Sequence, residues 1–171
     1  TNVIWGGFIE GVDQFDPLFF GISPKQAELM DPKQRLILQH AWKAIEDAGY
    51  APSSLAGTKT GVFIGTGASE YGTIIGNSVN IKDGYSVVGN ASALEANRIS
   101  YFLDLHGPSE PVDTACSSSL IALHRAVRAI RSGECEGALV GGCNIMLTPD
   151  LHIGFSRSNM LSVDGHCKTF S

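Results

Sequence analysis

Apolar residues along the chain follow two rhythms: a helical recurrence every three to four positions, and short uninterrupted runs bounded by glycine. The clearest helical stretch opens at Asp31, a good N-cap, with Pro32 at the first helical position and Gln34 placed to close a capping box. Leu38, Ala41, Trp42, Ile45 and Ala48 then recur at helical spacing, and Gly49 supplies the stop. Thr60 to Gly65, which contains Val62-Phe63-Ile64 bounded by glycines, predicts a short buried strand. A second helix is predicted from about Ser92 to Leu103, with Ala96, Ile99, Phe102 and Leu103 on its inner side and Gly107-Pro108 beyond its end. Val112-Asp113-Thr114-Ala115 predicts an extended segment, Ser117 to Ser132 a third helix with Leu120, Leu123, Val127 and Ile130 in phase, and Gly137 to Gly142 another short buried strand. Strand, helix, strand in that order implies a crossover unit with a parallel pair. The fold class is α/β. The first twenty residues, with Phe8, Phe15, Phe19 and Phe20 around Asp13, Asp16 and Pro17, predict an irregular and partly buried segment.

At 171 residues and 43% hydrophobic content the chain can bury a core, and its charge of −5 excludes a disordered polyelectrolyte. No Lys/Arg run is present, so binding to nucleic acid through phosphates is not expected. No apolar stretch approaches the ~18 residues that cross a bilayer, so no membrane association is expected. The opening Thr1-Asn2-Val3-Ile4 has no basic region or cleavage pattern, and reduced thiols in a cytoplasmic protein are the expectation. The absence of a starting Met suggests a piece of something longer. No internal repeat or linker divides the sequence.

The four cysteines, at 116, 135, 143 and 167, form no C-x-x-C pair, and no metal site is expected. Cys116 stands where the extended segment turns into the third helix. A thiol there faces unpaired backbone N–H groups and the positive end of the helix dipole, which favour a thiolate, and the same N–H groups can receive a developing oxyanion. Its neighbours Ala115, Ser117, Ser118 and Ser119 are small enough for a substrate to approach the sulfur. Position alone leaves two readings open: a nucleophile that carries an acyl group as a thioester, or a small buried hydrophobe. Cys135, Cys143 and Cys167 read as structural. Gly65-Thr66-Gly67 after the first strand invites a dinucleotide reading, which fails because Glu70 occupies the third glycine position. Gly141-Gly142 reads as close backbone packing at a sheet end, and Asp113 as a structural hydrogen-bonding residue.

Val112-Asp113-Thr114-Ala115-Cys116-Ser117-Ser118-Ser119-Leu120 resembles the nucleophile motif of β-ketoacyl synthase (ketosynthase) domains, especially those of modular polyketide synthases and animal-type fatty acid synthases. Phe19-Phe20-Gly21-Ile22-Ser23-Pro24, Met30-Asp31-Pro32-Lys33-Gln34-Arg35, Gly61 to Gly65, Asn97-Arg98-Ile99-Ser100-Tyr101, Gly107-Pro108-Ser109, Gly133-Glu134-Cys135 and the loop from Met160 to Phe170 follow in that family's order. The resemblance implies a thiolase-like fold of layered α and β elements in two similar halves, acting as a homodimer. It implies that Cys116 accepts an acyl chain from the phosphopantetheine of an acyl carrier protein, with no cofactor bound by the domain itself. A malonyl-type extender then loses CO₂ and attacks the thioester. Neighbouring polyketide synthase domains are the further partners it implies.

The family's two histidines lie in His-Gly-Thr-Gly-Thr and Asn-Ile-Gly-His contexts, and His40, His106, His124, His152 and His166 match neither. His124 stands eight residues beyond Cys116, more than two helical turns away. Residues 1–171 are therefore expected to be a partial ketosynthase domain, its N-terminal half, without the first strand or the half that carries the histidines. A fatty acid ketosynthase, an acyl-transferring ketosynthase that does not extend, and a non-catalytic docking or dimerisation scaffold are the alternatives.

Overall fold

The structure, a computed structural model, describes residues 3–78 and 84–170, without the side chains of 77 and 78. After an irregular start come α1 (Pro24–Glu28), α2 (Pro32–Asp47), a 3₁₀ turn (Pro52–Leu55) and β1 (Thr60–Gly65). Then follow α3 (Tyr71–Ser78), α4 (Gly84–Gly89), α5 (Ala93–Phe102), β2 (Ser109–Val112), a 3₁₀ turn (Ala115–Ser117), α6 (Ser118–Arg131), β3 (Gly137–Gly142) and α7 (Asp150–Arg157). The predicted β1 and β3 match to the residue, and α2 and α5 within a residue or two. Helices α1, α3, α4 and α7 are short, without a periodic stripe long enough to register in the sequence.

The sheet is parallel throughout, in the order β2-β1-β3. The predicted crossover from β2 through α6 to β3 is present, but the two strands are not partners, because β1 lies between them. As an edge strand, β3 is only half-buried, not sealed inside as its apolar run suggested. The strand before the cysteine also ends earlier than expected: β2 stops at Val112, and Ala115 already belongs to the turn.

Alternation along β1 assigns the two faces. Val62 and Ile64 join the core built with α2 and α5, where Met30, Leu38, Ile45, Ala96 and Ile99 are buried. Phe63 points the other way, into a smaller core with Val112, Ala122, Ala126, Ala129 and Cys135 under α6. The result is three layers: α2 and α5, the sheet, and α6.

Two local readings change. Asp31 does cap α2, its Oδ1 accepting from Lys33 N at 2.8 Å. The capping box does not close, because Asp31 N donates to Gly89 O and the Gln34 amide is spent on Gly89 O and Ala91 O. On α6 the residues facing the sheet are Ser118, Ala122, Ala126 and Ala129, while Leu120, Leu123, Val127 and Ile130 lie on the exposed face.

The small face follows from how near α6 comes to the strands. A Cβ on Gly65 would stand 2.7 Å from Ser119 N, and one on Gly142 would stand 2.9 Å from Ser119 Cβ. The pair Gly141-Gly142 thus does serve close packing at a sheet end, through Gly142. Gly65→Ala is expected to push the start of α6 off the sheet and to cost roughly 1–3 kcal/mol, read as a lower denaturation midpoint at unchanged m-value.

Candidate active site at the β2–α6 turn

Cys116 sits in the 3₁₀ turn between β2 and α6, with its side chain exposed. The buried-hydrophobe reading of this thiol is therefore excluded. The chain leaves β2 extended and must reverse within two or three residues to start α6 over Gly65. Ala115 makes that reversal in the left-handed region, φ +55°. For a residue with a Cβ this costs roughly 1–2 kcal/mol, and it persists only where the surroundings hold it.

Side-chain hydrogen bonds do the holding. Asp113 Oδ1 accepts from Ala115 N at 3.1 Å, the structural role expected of it. Ser117 Oγ donates to Thr114 O at 2.9 Å and shares a hydrogen bond with Thr114 Oγ1 at 2.8 Å. Ser118 Oγ accepts from Thr114 N at 2.9 Å and donates to Ala115 O at 2.7 Å. The motif residues around the thiol thus spend their polar groups on the backbone of the turn and leave the sulfur outward.

The other thiols divide cleanly. Cys135 is buried beside Gly61, and burial pushes its thiol up. Burial, with the charge of Glu95 added, pushes Cys143 up to about 11 against the opposing effect of Lys33. Cys167 is exposed in the loop after α7, and its hydrogen bond with Thr169, Sγ to Oγ1 at 3.0 Å, lowers it. Two thiols are accessible, Cys116 and Cys167, and only Cys116 stands at a built turn opening a 14-residue helix.

Among the described residues no histidine hydrogen-bonds to Cys116. His106 pairs with Asp104 at 3.1 Å, His152 Nε2 lies 3.0 Å from Val3 O, and His40, His124 and His166 are exposed. No group of three or more metal-ligating side chains is found among the described residues.

Behind the turn lies a feature the sequence reading passed over. Lys33 and Glu95 are both 2% exposed and form an ion pair at 3.4 Å. Lys33 Nζ also donates to Gly67 O at 2.7 Å and Ala68 O at 3.2 Å, tying down the loop that follows β1. Glu70, at the end of that loop, accepts from Leu147 N and from the amide and hydroxyl of Thr148. The stretch after β1 is thus pinned from both sides. Burial raises the Glu95 carboxyl above its ordinary value, opposed by Thr66 and Lys33. The usable signal was positional: Lys33 and Glu95 each stand four residues before a core isoleucine, Ile37 and Ile99.

A parallel α/β unit that presents a cysteine at a strand-to-helix turn is the arrangement of the thiolase-like condensing enzymes. A family model described as the N-terminal domain of β-ketoacyl synthase matches residues 1–171, and the chain belongs to this family. It is 56% identical over its whole length to the polyketide synthase PksN of Bacillus subtilis, of which it spans 3%. It is 49% identical over 166 residues to the pikromycin polyketide synthase component PikAII of Streptomyces venezuelae, covering 97% of this chain and 4% of that protein. Among solved structures it matches the ketosynthase from module 6 of the bacillaene synthase of Bacillus subtilis, with a TM-score of 0.82 and 44% identity, over 95% of this chain and 26% of the other. It also matches the oxazolomycin ketosynthase domain OzmH KS7 of Streptomyces albus, with a TM-score of 0.87 and 40% identity, over 99% of this chain and 29% of the other. No helix among the described residues is long and apolar enough to cross a membrane.

Proposed function

We propose that Cys116 is the acyl-accepting nucleophile of a polyketide ketosynthase, and that residues 1–171 form part of that domain. The exposed thiol on the left-handed turn at the start of α6 carries the proposal. The Cys116 thiolate attacks the carbonyl of an acyl chain held on the phosphopantetheine of an acyl carrier protein. A new C–S bond forms, the pantetheine sulfur leaves and takes up a proton, and the Cys116 backbone N–H holds the charge on the carbonyl oxygen in between. A malonyl-type extender on a carrier then loses CO₂, its electron pair forms the new carbon–carbon bond, and Cys116 departs as the thiolate.

The histidines that assist decarboxylation in this family belong to sequence outside these residues, in a second half of the domain. The acyl carrier protein, neighbouring synthase domains and a second copy in a homodimer are the partners of this reading, in a cytoplasmic setting. The relatives at 47–56% identity are polyketide synthases, which supports polyketide over fatty acid chemistry.

Incubation with an acyl-pantetheine thioester followed by peptide mass mapping tests the reading. The acyl group is expected on the peptide that carries Cys116. Acylation of Cys167 at an equal rate would indicate mere exposure, and would overturn it. A simple alkylating agent discriminates less well, because both thiols are accessible.

A further inference from the structure

The hydroxyl of Ser118 occupies a place that neither exposure nor charge explains. It is buried, at 6% exposure, two residues beyond an exposed thiol. It forms one hydrogen bond in each direction, from Thr114 N at 2.9 Å and to Ala115 O at 2.7 Å. The Ser118 backbone N–H also donates to Ala115 O. Ala115 O therefore receives two donors from one residue.

That carbonyl belongs to the same planar peptide as the Cys116 N–H. Fixing one end of a trans peptide fixes the other, so whatever anchors Ala115 O sets the direction of the Cys116 amide. The opposite side of Ala115 is held independently, its own N–H by Asp113. With both flanking peptides tied, Ala115 stays at φ +55° and the Cys116 side chain leaves the turn along one direction.

We propose that Ser118 is a positioning residue for acyl transfer to Cys116: its buried hydroxyl holds the Ala115–Cys116 peptide so that the Cys116 amide and sulfur face the same incoming carbonyl. This rests on Cys116 being the nucleophile. Ser118 is buried and its hydroxyl is spent on the backbone of the turn, so its removal is expected to act on the rate of the bound complex and to leave binding alone.

The test is Ser118→Ala and Ser118→Thr in the full chain, with acyl transfer from an acyl-pantetheine thioester followed across its concentration. Thermal unfolding and the alkylation rate of Cys167 report on folding. Ser118→Ala is expected to lower the maximal rate of Cys116 acylation about 10–100-fold, with the half-saturating concentration and Cys167 alkylation unchanged. Ser118→Thr, which keeps the hydroxyl, is expected to return the rate to within about threefold. A Ser118→Ala rate within threefold of the unaltered protein would overturn the proposal. So would a loss expressed only as weaker saturation, or a folded Ser118→Thr protein as slow as the alanine variant. Absence of acyl-Cys116 in the unaltered protein would instead defeat the nucleophile assignment on which the proposal rests.

Discussion

Cys116→Ala is expected to reduce acyl loading from a pantetheine thioester by more than about 10³-fold, while Cys167→Ala leaves it within about twofold. The contrast matters because exposure alone does not separate the two thiols. Cys167 is exposed and its hydrogen bond with Thr169 favours the thiolate, so a reactive-thiol argument would rank it well. It lies in a loop held by Ser162 with Asp164, by Lys168 with Asp164 and, from the start of the chain, by Trp5 Nε1 donating to Val163 O. Cys116 stands where the chain is bent into a costly conformation and held there by four side chains, Asp113, Thr114, Ser117 and Ser118. Strain sustained by that many partners marks a place where geometry is needed. Cys116→Ala keeps all four partners and the turn, so its thermal midpoint should stay within a few degrees of the unaltered protein. Loading lost together with the fold would point to a structural thiol.

The elements visible in the sequence are those whose signal is local. Helix α2 declared itself through Asp31, Pro32 and a long apolar recurrence, and β1 and β3 through glycine-bounded runs. Cys116 was legible for the same reason, since a strand end, a thiol and a helix start are neighbours in the chain. What did not show depends on distances between segments. The phase of α6 reads as an amphipathic helix, but which face meets the sheet is decided by Gly65 and Gly142, whose lack of side chains brings Ser119 so near that serine and alanine make the buried contact, with Ile121 at its edge. The larger Leu120, Leu123, Val127 and Ile130 are displaced to the outside. The half-closed capping box fails likewise, because Gly89 comes from a distant segment to take the Asp31 amide.

The Lys33–Glu95 pair joins positions too far apart in sequence for any local pattern, and it leads to the second large expected effect. Lys33→Met is expected to cost about 3–5 kcal/mol, because it strands a carboxylate in a site from which water is excluded. It also releases Gly67 O and Ala68 O, and with them the loop behind the Cys116 turn. Glu95→Gln should cost less, since a neutral amide avoids the desolvation that the carboxylate suffers.

The pH dependence carries the sign. The Glu95 carboxyl titrates higher folded than unfolded, where 4.5 applies, so the folded state holds more protons between the two values. The contribution of Glu95 to stability is thus largest at low pH and falls as pH rises through its folded value. Glu95→Gln cannot titrate, so its stability relative to the unaltered protein should improve as pH increases across that window and level off above it. Urea unfolding of both proteins from pH 4 to 8, within one buffer series, measures the gap. A gap that widens in favour of the unaltered protein as pH rises would mean that Lys33 more than offsets the burial, and that the pair acts as a fully ionised clamp on the loop.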